Sequence, residues 1–263
     1  RHAELAGEPD RAAGYNFQYG RDALRNHQPV DAEKCLVQAM GQVDQEDKPR
    51  CMEIALELGD ARVAQGDYAG AGASYQEALH IAWQLRHRTR GADALVRIGR
   101  AETAAGQYMN AAKHFEAALR LYEEHDDTHG VATTCLMLGK MFWLTGSHGE
   151  ALGSYRKAER LFEDVSDEKG LGDVADAMGS LHYDRGDLVR AEKAYRRSIQ
   201  LRHAIDDPRG VAAGLCNLGA AWLRQGRAQK AVTAWREGLE LATLMGRLPL
   251  QAALSGNLGE GLL

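Results

Sequence analysis

The chain has 263 residues, 44% of them hydrophobic and 26% charged, a ratio that excludes an intrinsically disordered or collagen-like protein. A net charge of -5 gives no overall pull toward nucleic acid or anionic membrane, and no apolar run approaches the ~20 residues that span a bilayer. The cysteines Cys35, Cys51, Cys135 and Cys216 lie far apart with no Cys-x-x-Cys, so reduced thiols in a cytoplasmic setting are expected and a disulfide framework is not.

From the N-terminus onward the chain repeats itself. Glycines fall at Gly66, Gly106, Gly146, Gly186 and Gly226, each forty residues after the last, and a second series runs Gly59, Gly99, Gly139, Gly179, Gly219 and Gly259. Ala71, Ala111, Ala151, Ala191 and Ala231 keep the same interval, as do Tyr75, Phe115, Tyr155, Tyr195 and Trp235. Within each period, apolar residues at offsets of three and four predict two helices. Leu215, Leu218 and Trp222 mark a first helix, and Ala191, Tyr195 and Ile199 a second. Gly66-Asp67 and Gly186-Asp187 suit a left-handed helix end followed by a capping aspartate. The glycine inside each first helix costs about 1 kcal/mol against alanine. Close approach of the second helix, at its alanine, is the expected reason.

The periods register as 10–49, 50–89, 90–129, 130–169, 170–209 and 210–249, one solenoid over 1–263 with a last unpaired helix over 250–263. The first is one residue short, since Gly20 and Ala32 precede Gly59 and Ala71 by 39. The chain opens on Arg1 and closes on Gly259-Glu260-Gly261-Leu262-Leu263, which reads as a piece of a longer protein.

Leu215, Leu218-Gly219 and Trp222, followed by Ala231 and Trp235, resemble the tetratricopeptide repeat. The forty-residue period resembles the longer-helix subclass of polarity adaptors and bacterial signalling ATPases. Arg62 and Glu102 depart from the family's first-helix aromatic, and Glu159 from its second-helix aliphatic. The resemblance implies an all-α, right-handed superhelical solenoid of antiparallel helix pairs that binds proteins or peptides and is not an enzyme. The segment from Ala3 to Ala13 also resembles the junction that follows an ATPase module in large bacterial signalling proteins.

Chemical motifs are scarce. No Walker loop, Gly-x-Ser-x-Gly elbow or His-Glu-x-x-His is present. Gly70-Ala71-Gly72 lies in a second helix with no strand before it, and reads as helix packing. His125 and His129 stand four apart in an inter-repeat loop with no third ligand in view, so no metal or cofactor is expected. Cys135 sits where other repeats place Leu95, Ala175 and Leu215 and reads as a small buried residue. Cys216 lies one position further round, toward the groove.

A stack of helix pairs offers a concave face lined mainly by first helices. Carried over from the family, the groove positions give Asp93, Val96 and Arg100, with Arg97 on the flank, then Lys140 and Trp143. They continue with Asp173, Asp176, Ser180, Tyr183 and Asp184, then Cys216 and Arg224 with Asn217 beside them. Trp143 and Tyr183 are of the residue types enriched at binding hot spots. Arg97, Arg100 and Lys140 form a basic step and Asp173, Asp176 and Asp184 an acidic one. The expectation is a peptide carrying acidic residues over repeats three and four and a basic residue over repeat five. Asn217 and Asn257 match asparagines that related domains use to hold a peptide backbone. The competing expectation is that these charges pair with one another across adjacent first helices. Two other readings stand beside the scaffold: a sensor or oligomerisation arm of a signalling ATPase, kinase or transcriptional regulator, and an enzyme, for which no constellation exists. Neither a nucleic-acid nor a membrane partner is expected.

Overall fold

The computed structural model describes residues 9–246 and 248–261. The expected junction motif from Ala3 to Glu8, and Leu262-Leu263, lie outside the described residues. Thirteen α-helices and no strand occur among the described residues. They run in consecutive pairs: α1 (Pro9–Arg25) and α2 (Pro29–Gln42), α3 (Lys48–Gln65) and α4 (Tyr68–Gln84), α5 (Arg88–Ala104) and α6 (Tyr108–Glu123). Next come α7 (Thr128–Leu144) and α8 (His148–Asp164), α9 (Glu168–Asp184) and α10 (Leu188–Ala204), α11 (Pro208–Arg224) and α12 (Ala228–Leu244), and finally α13 (Leu248–Gly261). The chain divides into two compact units, Arg1–Met137 and Leu138–Leu263, with the division inside α7.

Two kinds of turn build this order. Inside the pairs from α3 to α12, the turn is closed by Gly66, Gly106, Gly146, Gly186 and Gly226, all at φ between 76° and 81°. A side chain rarely adopts that left-handed conformation, which is why the glycine recurs. Between pairs the left-handed residue is Arg86, Asp126, Ser166 or Asp206, at φ 51–55°, again forty residues apart. After Asp126, Ser166 and Asp206 the following aspartate caps the next helix, whereas Arg86 is followed by His87, whose side chain makes no cap bond. Asp127 accepts from the Gly130 N–H at 2.8 Å, Asp167 from Gly170 at 3.0 Å and Asp207 from Gly210 at 2.9 Å.

The mid-helix glycines have a different packing reason from the one expected. The second helix meets them with its aromatic ring. A Cβ on Gly59 would stand 2.2 Å from Tyr75, one on Gly139 2.4 Å from Tyr155, and one on Gly219 2.2 Å from Trp235. The fully buried alanines Ala71, Ala151 and Ala231 fill the core beside these rings. The departures from the family pattern are satisfied locally. Arg62 donates to Glu33 at 2.9 Å and to Ser74 at 2.9 Å, Glu102 pairs with His114 at 2.7 Å, and Glu159 pairs with Arg197. Cys135 is buried, and all four thiols are free. His125 lies in the turn and bonds the Leu121 carbonyl at 2.9 Å, while His129 sits in the first turn of α7 and not in a loop. No helix among the described residues is long and apolar enough to cross a membrane.

Candidate functional site

In the N-terminal unit the first-helix face is set by α3 and α5. Arg97 of α5 forms an ion pair with Asp60 of α3, and the Tyr75 hydroxyl donates to the same carboxylate at 2.7 Å. Burial opposes the Arg97 charge, but Asp60 beside it outweighs burial and holds the guanidinium above its ordinary range. Burial, with Asp60 adding to it, pushes the Tyr75 hydroxyl up. Arg97 is therefore an internal partner of this face. Arg100, one turn on, is exposed. Asp93 accepts from the Tyr122 hydroxyl at 2.5 Å.

In the C-terminal unit four first helices contribute. The structure brings together three contacts between successive first helices. Trp143 of α7 donates its indole N–H to Asp184 of α9 at 2.8 Å. Asn217 of α11 donates to Asp176 of α9 at 3.0 Å. The Arg224 guanidinium lies 4.9 Å from the centre of the Tyr183 ring and donates to the Tyr183 carbonyl at 2.8 Å. Asn257 of α13 continues the series by donating to the Cys216 sulfur at 3.3 Å. Asp173 departs from it. Its carboxylate is held by Arg202 of the second helix α10, which also donates to Asp207 at 2.7 Å.

Asp176 is the position that stands apart. Its register is filled by Leu56, Val96 and Leu136 in earlier repeats, all buried, and by Cys216 in the next. Burial pushes its carboxyl above the ordinary carboxylate value, and Asn217, Arg202 and Lys140 act against that rise. An acid at an aliphatic position costs desolvation energy that nothing in the fold requires. The partly buried ring of Tyr183 and indole of Trp143 belong to the same set of first helices.

Sequence reasoning did not find Arg202. It occupies the register of Tyr122 and Phe162, aromatic residues packed on Gly130 and Gly170, and reaches its first-helix aspartate as Tyr122 reaches Asp93. The equivalence of Asp93 with Asp173 was the available signal. No group of acids, histidines and cysteines among the described residues has the arrangement of a metal site.

Paired helices at a near-constant interval, with aromatic-on-glycine contacts inside each pair from α3 to α12 and Leu36 on Gly20 in the first, define a helical-repeat protein. Tetratricopeptide repeat family models match residues 17–86 and 177–243 in one case and 92–164 in another, and the chain belongs to that family. No curated protein matches it in sequence. Among solved structures it is similar to BtubC from P. vanneervenii, at 23% identity and TM-score 0.64, covering 92% of each chain. It is also similar to the Rap conjugation gene regulator of plasmid pLS20 in complex with the Phr* peptide, at 15% identity and TM-score 0.70, over 92% of this chain and 78% of that one. A third likeness is to a signal transduction ATPase with numerous domains from Pyrococcus horikoshii, which has a tetratricopeptide repeat sensor. There the identity is 12% and the TM-score 0.64, over 94% of this chain and 41% of that one. These likenesses show the fold.

Proposed function

We propose that this protein is a non-catalytic, cytoplasmic scaffold that binds a protein or peptide on its first-helix faces. The observation that carries the reading is Asp176, a desolvated carboxylate at a register otherwise filled by leucine, valine and cysteine, beside Asn217, with Tyr183 two turns further along the same helix and Trp143 bonded to Asp184 just beyond it. A desolvated acid attracts a cation far more strongly than a solvated one, so a lysine, an arginine or a free amino terminus of the ligand meets Asp176. Tyr183 and Trp143 supply flat apolar area for its neighbours. On the N-terminal unit, Arg100 is the cation open to an acidic group of a ligand. Arg97, Asp173 and Asp184 already hold partners within the protein and serve to fix the face. The peptide-bound regulator of similar fold supports a peptide ligand.

A peptide library selected on the native chain tests this. Enriched peptides should carry a basic residue or a free amino terminus and lose affinity for Asp176→Leu and for Tyr183→Ala. Undiminished binding by both folded variants overturns the assignment. The likeness to a repeat sensor in a signalling ATPase favours a second reading, in which the ligand is another domain of a multidomain regulator. In that case no free peptide would be enriched, and a neighbouring domain supplied separately would bind.

A further inference from the structure

The second helices of the C-terminal unit carry a charge pattern that the first-helix faces do not explain. Arg156 of α8, Arg196 of α10 and Arg236 of α12 recur every forty residues, and all three are exposed. The same register in the N-terminal unit holds Gln76 and Glu116. Arg160 and Lys193, also exposed, flank the row. Helix α10 alone has five basic residues from Arg190 to Arg202 and one acid, Glu192. The chain as a whole is acidic, so this surface is not a background of general positive charge.

Local acids do not neutralise it. Arg197 engages both Glu159 and Glu163, which places α8 beside α10. Glu192 is taken by Arg196 at 3.1 Å and by Arg227 at 3.1 Å. Arg156, Arg160 and Lys193 form no ion pair among the described residues. They are long, solvated cations; of the acids one turn from them on α8, Glu159 and Glu163 are taken by Arg197, and Asp164 lies at the end of the helix. Arg156 and Arg160 stand one helical turn apart on α8, and Lys193 adds a third charge from the adjacent helix.

We infer that the outer surface of α8 and α10 docks an acidic protein segment, separately from any ligand of the first-helix faces. A nucleic acid duplex presents about one negative charge per 1.7 Å of its axis, and would press phosphates against Glu159, Glu163 and Glu192. A peptide with carboxylates spaced along its chain meets the three unpaired cations and avoids those acids. Electrostatic recognition of this kind speeds association and weakens as salt is added.

The test uses the full chain and a short labelled peptide with glutamate at every third position. Its glutamine counterpart and a single-stranded RNA of similar length serve as comparisons, at two ionic strengths. The glutamate peptide should bind, more weakly at the higher salt, and the glutamine peptide should not. Reversing Arg156, Arg160 and Lys193 to glutamate should lower affinity about tenfold or more, and changing the three to glutamine should lower it less. Asp176→Leu should leave this binding unchanged, which separates the result from the first-helix reading. Any one of three results overturns the inference: no binding of the glutamate peptide, undiminished binding by the folded reversed variant, or preference for RNA.

Discussion

The two units use one repeat to make two different first-helix faces. In the N-terminal unit, Asp60 lies at the register of Ser180, pairs with Arg97 and accepts from Tyr75, so its central acid is neutralised by a full charge. In the C-terminal unit, Ser180 accepts from Tyr195 at 3.3 Å, and the acid has moved one turn earlier, to Asp176, with the amide of Asn217 as its direct partner. A neutral amide satisfies a carboxylate's hydrogen-bonding capacity without cancelling its charge. The first arrangement braces the face with an ion pair, whereas the second leaves the carboxylate with a neutral direct partner and Arg202 and Lys140 acting only from further off, the feature on which the proposed ligand site rests.

Exchanging the residues at that register breaks the comparison most severely. Leu56 is 4% exposed, and Leu56→Asp puts a carboxylate into the N-terminal unit's core, where the residue at the register of Asn217 is Arg97, already held by Asp60. A loss of about 3 kcal/mol or more is expected in urea unfolding. The reciprocal change, Asp176→Leu, should stabilise the protein by about 1 kcal/mol or more while abolishing binding of basic peptides. A stabilised variant that still binds would show that the acid is not the recognition element.

The pH dependence sharpens the same point. The folded carboxyl of Asp176 sits above its ordinary value of 3.8, so the folded state holds the proton more tightly than the unfolded state. Its contribution to stability is therefore present at low pH and lost as pH rises from that value through the raised one. The advantage of Asp176→Leu over the native chain should grow across this window and level off above it. Glu33 runs the other way: hydrogen bonds from Arg62 and Gln65 hold its carboxyl below the ordinary range, so its contribution is lost as pH falls through the lowered value. A stability difference for Asp176→Leu that stays flat with pH would contradict the burial assigned to that carboxylate.

Smaller effects follow at the partners. Arg97→Ala should cost about 1–2 kcal/mol, because Asp60 keeps only the Tyr75 hydroxyl. Arg224→Ala removes an exposed guanidinium from the Tyr183 ring and should cost about 0.5 kcal/mol. Thermal unfolding of the two variants checks the order. If Arg224→Ala costs more than Arg97→Ala, the N-terminal face is not the more tightly braced of the two.

The forty-residue beat of glycine, alanine and aromatic residues was sufficient to place two helices in every period. Helix ends and buried stripes depend on residues a few positions apart, which the sequence displays directly. The same beat hid the second left-handed turn, since Arg86, Asp126, Ser166 and Asp206 share a conformation but no residue type. It also suggested alanine as the glycine's partner, where the ring four residues later makes the contact.

By itself the sequence determined the family, the helix pairs and the residues that first helices carry on one face. Tertiary structure decided which of those residues hold partners within the protein. Asp60 and Arg97 are 37 residues apart, Asp176 and Asn217 41, and Asp173 and Arg202 29. At such separations each charge has several opposite partners at equivalent registers. Only the side-chain reach and burial set by packing select one of them.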